Sequence, residues 1–215
     1  MAEEWLRGPG SLSAASDPSP RPGARSSIAV VPVHVDPLMP VHPLTVTDVQ
    51  RMVAAGIVDE DDRIELLDGV LVEMSPQGAA HAYAVAELTM LAVPVAAAAG
   101  LRVVVQGPVD VESPVSLPQP DLAIAPATTP ERLFTDAVLV VEVSVTSQRL
   151  DLGRKAAIYA EGGVPEYWVL DVERRELVVH RDPKDGHYAS VRAHAEHETV
   201  TAVAVDLTVP LSALL

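Results

Sequence analysis

Apolar residues along the chain follow two spacings, and each spacing predicts a different kind of element. Residues 63–67 and 70–74 are short, largely apolar runs on either side of Asp68-Gly69, a dipeptide typical of a tight β-hairpin. The run 137–145 has seven apolar residues of nine, five of them valine, and predicts a central strand buried on both faces. The same reasoning predicts further strands at 101–106, 122–125, 167–171, 176–180 and 188–193.

Three segments between these strands are predicted to be helices. Thr45 and Asp48 form a capping-box-like start for the first helix. The second is a long alanine-rich helix over 80–99, in which Pro94 predicts a kink or an early end. The third covers 149–161. Strands and helices in this order predict an α/β domain with a central mixed β-sheet flanked by α-helices.

The N-terminal part of the chain lacks these patterns. Residues 1 to about 27 are rich in Pro, Ser, Gly and Ala, so we expect 1–42 to be a disordered or weakly ordered tail and 43–215 to be the folded domain. Met39, just before the first patterned segment, is an alternative to Met1 as the translation start.

Composition narrows the possible classes of protein. The 215 residues suffice for one domain with a substantial core, and the absence of cysteine excludes disulfides and thiolate zinc sites. The acidic N-terminus is unlike a secretory signal, and no apolar stretch reaches the roughly 18 residues of a membrane span. We therefore expect a cytoplasmic protein that does not enter a membrane.

The charge balance constrains any nucleic-acid partner. A net charge of −15 opposes broad electrostatic attraction to DNA or RNA, so a nucleic-acid surface would have to be local. Arg149, Arg154 and Lys155 form one candidate group of positive charges. The alternative is that these are ordinary solvated side chains.

Candidate chemistry centres on an acid inside the valine-rich strand. Glu142 would be costly to bury unless it is paired, protonated or bound to a metal. Asp121 follows Pro120 at the entrance of the preceding predicted strand, where its side chain could point into a cleft. Lys155, one of two lysines in the chain, lies on the following helix.

Two interpretations of this group remain open. Asp121, Glu142 and the backbone carbonyl of Val143 could form an oxygen cage for Mg²⁺, with Mn²⁺ as a substitute, and Lys155 could offset charge on a substrate phosphate. Alternatively, Glu142 forms a buried ion pair with Arg149 or Lys155, and Asp121 only caps a turn.

Three longer segments connect this group to a known family: RIELLDGVLVEMSP, QPDLAIAP and VVEVSVTSQRLDLGRKAAIYAEGGVPEYWVLD. Together they resemble the Uma-two family of restriction-endonuclease-like proteins, in the PD-(D/E)XK nuclease superfamily, over about residues 44–183. The resemblance implies a restriction-endonuclease-like fold, with Asp121 and Glu142 as metal ligands and Lys155 as the catalytic lysine. Ser144 occupies the position where the superfamily usually has its lysine, so the lysine is displaced to the next helix.

Three further residues are candidates for the same site. The resemblance places Glu65 in the same cleft, although a solvent-facing position in the hairpin is the alternative. Asp151, four residues before Lys155, could orient the lysine or form a plain surface ion pair. His81 could contact substrate phosphate or serve as a polar residue at the helix start.

The function implied is Mg²⁺-dependent hydrolysis of phosphodiester bonds, in DNA, by an endonuclease. A homodimer would suit cleavage of both strands. The rival is a nuclease-fold protein that no longer cuts and acts as a nucleic-acid or protein binding module.

Overall fold

The computed structural model describes residues 41–59, 62–74 and 76–215. The predicted N-terminal tail, apart from residues 41 and 42, and the alternative start at Met39 lie outside the described residues. The helices are α1 (Val46–Ala54), α2 (Ala79–Ala98), α3 (Gln148–Leu150) and α4 (Ala156–Glu161). The strands are β1 (Ile64–Leu67), β2 (Val70–Glu73), β3 (Leu101–Val105), β4 (Leu122–Pro126), β5 (Leu139–Ser144), β6 (Glu166–Asp171), β7 (Glu176–Lys184), β8 (His187–Ala195), β9 (Thr199–Thr201) and β10 (Thr208–Pro210).

A mixed sheet of six strands forms the centre of the fold, in the order β3-β4-β5-β6-β7-β8. Strands β5 and β6 are parallel, and the other neighbours in this sheet are antiparallel. Since parallel neighbours need a crossover, the chain leaves β5 and returns to β6 through the helical segment 148–161. The predicted central mixed sheet flanked by helices is confirmed.

Strand β5 is buried along its whole length, as its sequence predicts. Val141 and Val143 belong to the apolar cluster that includes the buried side of α2. Val140 belongs to the second cluster, which includes residues of α4. Because successive side chains of a strand point to opposite faces, Glu142 lies on the α4 side of the sheet.

The predicted hairpin and capping box are both present. In the pairing of β1 with β2, Ile64 lies opposite Glu73 and Leu67 lies opposite Val70. Asp68 and Gly69, in the turn, have positive φ angles. A Cβ at Gly69 would lie 2.3 Å from Cβ of Pro43, so this turn needs glycine for space as well as conformation. Thr45 and Asp48 bond reciprocally at the start of α1.

Helix α2 departs from two expectations. It continues through Pro94 to Ala98, so the predicted early end is wrong. It is also the one described helix that is long and apolar enough, by length and composition alone, to cross a membrane, contrary to the expectation that no segment would be. Part of that apolar character belongs to the core, because Ala84, Leu88 and Ala92 pack in the sheet's hydrophobic cluster.

The C-terminal region contains elements that the sequence pattern did not predict. Strands β9 and β10 form a separate two-stranded antiparallel sheet, followed by a short 3-10 turn, Leu211–Ala213. Strands of three residues are too short to show periodicity. Glu166 connects this sheet to the central one, since its carboxylate accepts hydrogen bonds from Trp168, Arg181 and the N–H of Val203. Tyr167 and Trp168, in β6, are both buried in the core.

Candidate active site

The two candidate metal ligands, Asp121 and Glu142, are brought together by strand pairing. Strands β4 and β5 pair with Leu122 opposite Val141, so one further step of the register sets Asp121 opposite Glu142. Residues opposite each other in an antiparallel pair have Cβ atoms about 4.5–5.5 Å apart. Asp121 Oδ2 also accepts a hydrogen bond of 2.8 Å from the N–H of Val143. Both carboxylates line one cleft of about 260 Å³.

Lys155 forms the centre of a buried charged cluster. Its Nζ lies 3.0 Å from Glu65 Oε1, 3.1 Å from Glu142 Oε1 and 4.0 Å from Asp151 Oδ1. All four side chains are at most 5% exposed. Burial of one cation among three acids leaves an excess of negative charge in a region with little water.

This cluster decides between the alternatives for Glu65 and Asp151. Glu65 is buried and contacts Lys155, so the solvent-facing alternative is wrong. Asp151 is also buried, so a plain surface ion pair is wrong for that residue. Glu142 pairs with Lys155 as the ion-pair interpretation expects, but it does so on the wall of a cleft.

The helix that carries Lys155 is irregular at this point. Residues Asp151–Lys155 form a π-helical turn between α3 and α4, and such turns are frequent at functional sites. Ser147 donates a hydrogen bond to Asp151 Oδ2 and is itself bonded to Ser144. Ser144, at the position where the superfamily usually has lysine, thus helps to hold Asp151 beside Lys155.

The charge state of the cluster follows from burial. Burial raises the pKa of Glu142 to about 8, and the positive charge of Lys155 opposes part of that rise. Burial also raises the pKa of Glu65 and of Asp151 against the same opposing charge. Burial of Lys155 favours the neutral amine, but the three carboxylates outweigh it and its pKa lies above the usual value. Near neutral pH the lysine is charged and Glu142 can hold a proton.

His81, in the first turn of α2, contacts the other candidate ligand. Its Nε2 lies 3.0 Å from Asp121 Oδ1, while its buried Nδ1 has no hydrogen-bond partner among the described residues. The N-cap residue of the helix is Gly78, and no side chain caps the helix start. His81 therefore fixes the orientation of the Asp121 carboxylate and lines the cleft.

The predicted basic group does not form an open cationic surface. Lys155 is buried, and Arg154 is bonded to Asp68 and Glu161. Arg149 is exposed but does not line the cleft. Arg63 does line the cleft and is exposed. Among the described residues it has no ion pair. Sequence reasoning missed Arg63 because only the tertiary fold brings the start of β1 to the cleft.

Two further contacts were also missed. Tyr159 donates a hydrogen bond of 3.0 Å to the same Glu142 oxygen that Lys155 contacts. Its position four residues after Lys155, on the same helix, was a signal that could have revealed it. The Arg154–Asp68 pair links the turn of the β1–β2 hairpin to the helix and so helps to position Glu65 against Lys155.

The donor set fits a hard divalent cation. Asp121 and Glu142 offer carboxylate oxygens and Val143 a backbone carbonyl, and Mg²⁺ typically takes one or two carboxylates and keeps several waters. Among the described residues no group of three or more His, Asp or Glu side chains is arranged to hold a metal ion. Any ion bound here therefore depends on backbone oxygen, water and substrate for its remaining ligands.

Known proteins resemble this chain in sequence and in fold. A family model named Uma2, described as "Putative restriction endonuclease", matches residues 47–212. No curated protein matches the chain. Among solved structures, a putative nuclease belonging to DUF820 from Anabaena variabilis ATCC 29413 superposes with a TM-score of 0.62 at 14% identity, covering 80% of this chain and all of that one. This likeness shows the shared fold.

Proposed function

The chain belongs to the Uma2 family, and on that premise we propose that it is a metal-dependent endonuclease that hydrolyses phosphodiester bonds, in DNA. The observation that carries the proposal is the convergence of Asp121, Glu142 and Lys155 on one cleft. A lysine clustered with acids on a cleft wall supplies the charge arrangement that phosphate hydrolysis needs.

Each residue has a distinct proposed role. Asp121, Glu142 and the Val143 carbonyl would hold Mg²⁺ or Mn²⁺. The bound ion would supply charge for the phosphate oxygens and lower the pKa of a water. Lys155 positions the attacking water and offsets charge developing on the phosphate. Glu65 and Asp151 hold the ammonium group in place, and His81 orients Asp121.

Substrate approach depends on how the charges of the cleft are distributed. Five carboxylates line it, those of Glu65, Glu73, Asp121, Glu142 and Asp151, against the cations Arg63 and Lys155. Such a cleft repels phosphate until a divalent ion is bound, which couples DNA binding to metal binding. Arg63 is then the exposed cation best placed to contact a phosphate next to the cleaved one.

Arg63→Gln is expected to lower kcat/KM for DNA cleavage by about 3- to 10-fold at low salt, because one phosphate contact is lost. The slope of log kcat/KM against log salt concentration should become shallower by about 1. Glu73→Gln, at the same cleft, should have the opposite effect and raise kcat/KM. Cleavage of a labelled duplex over a series of salt concentrations measures all of these.

Arg132→Gln is the matched control, since Arg132 is also exposed and has no ion pair among the described residues, but does not line the cleft. It changes the net charge by the same amount. If Arg63→Gln and Arg132→Gln have equal effects, Arg63 makes no phosphate contact and only the overall charge matters.

A second candidate function is a nuclease-fold protein that binds without cutting. It is favoured by one observation: Lys155 already has two carboxylate partners within 3.1 Å, an arrangement that is also stable as a purely structural cluster. Cleavage assays with Lys155 variants separate the two functions.

A further inference from the structure

Helix α2 has a second apolar face that the described fold leaves exposed. Its 20 residues include one acid, Glu87, and one histidine, His81, and no lysine or arginine. One side packs on the sheet through the core cluster. Ten apolar residues of α2 are exposed, and six of them form a stripe along the opposite side: Ala79, Tyr83, Ala86, Met90, Val93 and Ala97. A helix that is hydrophobic all round is normally buried on all sides, and exposed apolar patches of this kind mark interaction sites.

The spacing of these six residues indicates what covers them. Successive members are four, three, four, three and four positions apart, which is the heptad spacing of paired helices. Met90 is 74% exposed, Tyr83 55% and Val93 48%. Within the part of the chain that the structure describes, no other element packs on this stripe. The repeat therefore points to another helix of similar length as the partner.

We propose that the stripe is a dimer interface in which α2 of one copy packs antiparallel against α2 of a second copy. The sequence of the stripe is self-complementary in that orientation. Centring the pair on position 88 sets Tyr83 opposite Val93 of the second copy and Met90 opposite Ala86. Ala79 then lies opposite Ala97. Each large side chain meets a smaller one, as close packing requires.

The available area is sufficient for such a dimer. A helix of 20 residues is about 30 Å long and about 10 Å wide, so its outer face offers on the order of 500 Å² of accessible surface. Two copies together offer about 1,000 Å², the value that a specific interface should reach. Because the two copies use the same patch, the interface is isologous and closes after two subunits.

A lipid bilayer is a poorer partner for this helix. The opposite side of α2 is packed in the core through Leu88 and Ala92, so the helix cannot span a membrane without unfolding the domain. The net charge of −15 also opposes adsorption to anionic lipid. A second copy covers the apolar stripe and requires neither unfolding of the domain nor contact with anionic lipid.

The pairing also fixes where the two clefts lie. Each cleft is at the N-terminal end of its α2, where His81 is located. In the antiparallel pair the two His81 residues are offset by 14 positions, about 20 Å along the helix axes. The two clefts therefore lie toward opposite ends of the pair. The α2 pair is expected to form whether or not the protein has nuclease activity.

The oligomeric state of the full chain tests the proposal directly. We expect sedimentation equilibrium to give twice the monomer mass of 22.7 kDa at micromolar concentration. Met90→Glu should raise the dimer Kd by at least about 100-fold, since it buries two charges at the seam. Val203→Glu is the control, because Val203 is 75% exposed outside α2. A monomeric wild type, or a Met90→Glu variant that remains dimeric, would overturn the proposal.

Engineered cysteines test the orientation, because the chain has none of its own. Ala79→Cys/Ala97→Cys should form a covalent dimer under mild oxidation, since each cysteine faces its counterpart on the other copy. Either single variant should stay uncrosslinked, because identical positions lie about 27 Å apart along the axis. Crosslinking of the single variants, or failure of the double variant, would rule out the antiparallel pair.

Discussion

Replacing Lys155 with alanine is expected to reduce the rate of DNA cleavage by about 10²–10³-fold, the usual cost of losing one electrostatic contact to a transition state. The lysine is not a metal ligand, and its Nζ competes for Glu142 at 3.1 Å. Metal affinity should therefore be kept or increased in Lys155→Ala. Asp121→Ala, in contrast, should lose both metal binding and cleavage. Plasmid nicking in Mg²⁺ or Mn²⁺ at low salt measures the rates.

Stability must be followed in the same variants. Removing Lys155 leaves three buried carboxylates without their cation, which typically costs about 3–5 kcal/mol of folding free energy. Protonation of Glu142 and added metal should each recover part of that loss. Lys184→Ala is the control, because Lys184 is the other lysine of the chain and is exposed.

Cleavage that survives in folded Lys155→Ala but not in Asp121→Ala would mean that a different cation stabilises the charge on the phosphate. Absence of cleavage in pure wild type would favour the binding protein.

Divalent metal is expected to stabilise the fold, and Glu142→Gln is expected to remove most of that effect. At a metal concentration 100 times its Kd, the gain is about 2.7 kcal/mol, equivalent to a rise in Tm of about 5–10 °C for a chain of this size. Thermal melts with and without Mg²⁺ or Mn²⁺ measure this. Glu173→Gln, at an exposed position, is the control. A wild-type Tm that does not respond to millimolar metal would argue against a functional site.

The same variant should alter how metal-free stability depends on pH. Burial raises the folded-state pKa of Glu142 from 4.5 to about 8, so the folded protein holds this proton more tightly than the unfolded chain. The resulting stabilisation is present below pH 4.5 and is lost as the pH rises towards 8. Glu142→Gln cannot lose a proton, so its stability should fall less over that range. Lys155 keeps Glu65 and Asp151 as partners in the variant.

Local patterns predicted the parts of the site that lie on regular elements. An acid within a run of valines identified Glu142, and Pro120-Asp121 marked a strand entrance. These features depend on a few neighbouring residues, which is why the sequence reveals them. The distance between Asp121 and Glu142 could not be predicted, since it depends on the antiparallel register of β4 and β5.

These local patterns could not predict contacts between segments that are far apart in the sequence. Glu65 and Lys155 are ninety positions apart and meet through the packing of a hairpin on a helix. His81 meets Asp121 because the first turn of α2 lies beside the start of β4. The continuation of α2 through Pro94 also reflects tertiary context, since packing on the sheet outweighs the missing N–H of one proline.

The π-helical turn at Asp151–Lys155 carries an implication for how such a site evolves. A backbone bond from residue i to i+5 encloses one residue more than the α-helical bond from i to i+4, so the turn holds one residue more than a regular α-helical turn would. Deleting Gly153, which is exposed, would return the segment to α-helix and rotate Asp151 about 100° around the axis. Lys155 and Tyr159 would keep their positions. One small insertion or deletion thus couples or uncouples the third carboxylate from the lysine.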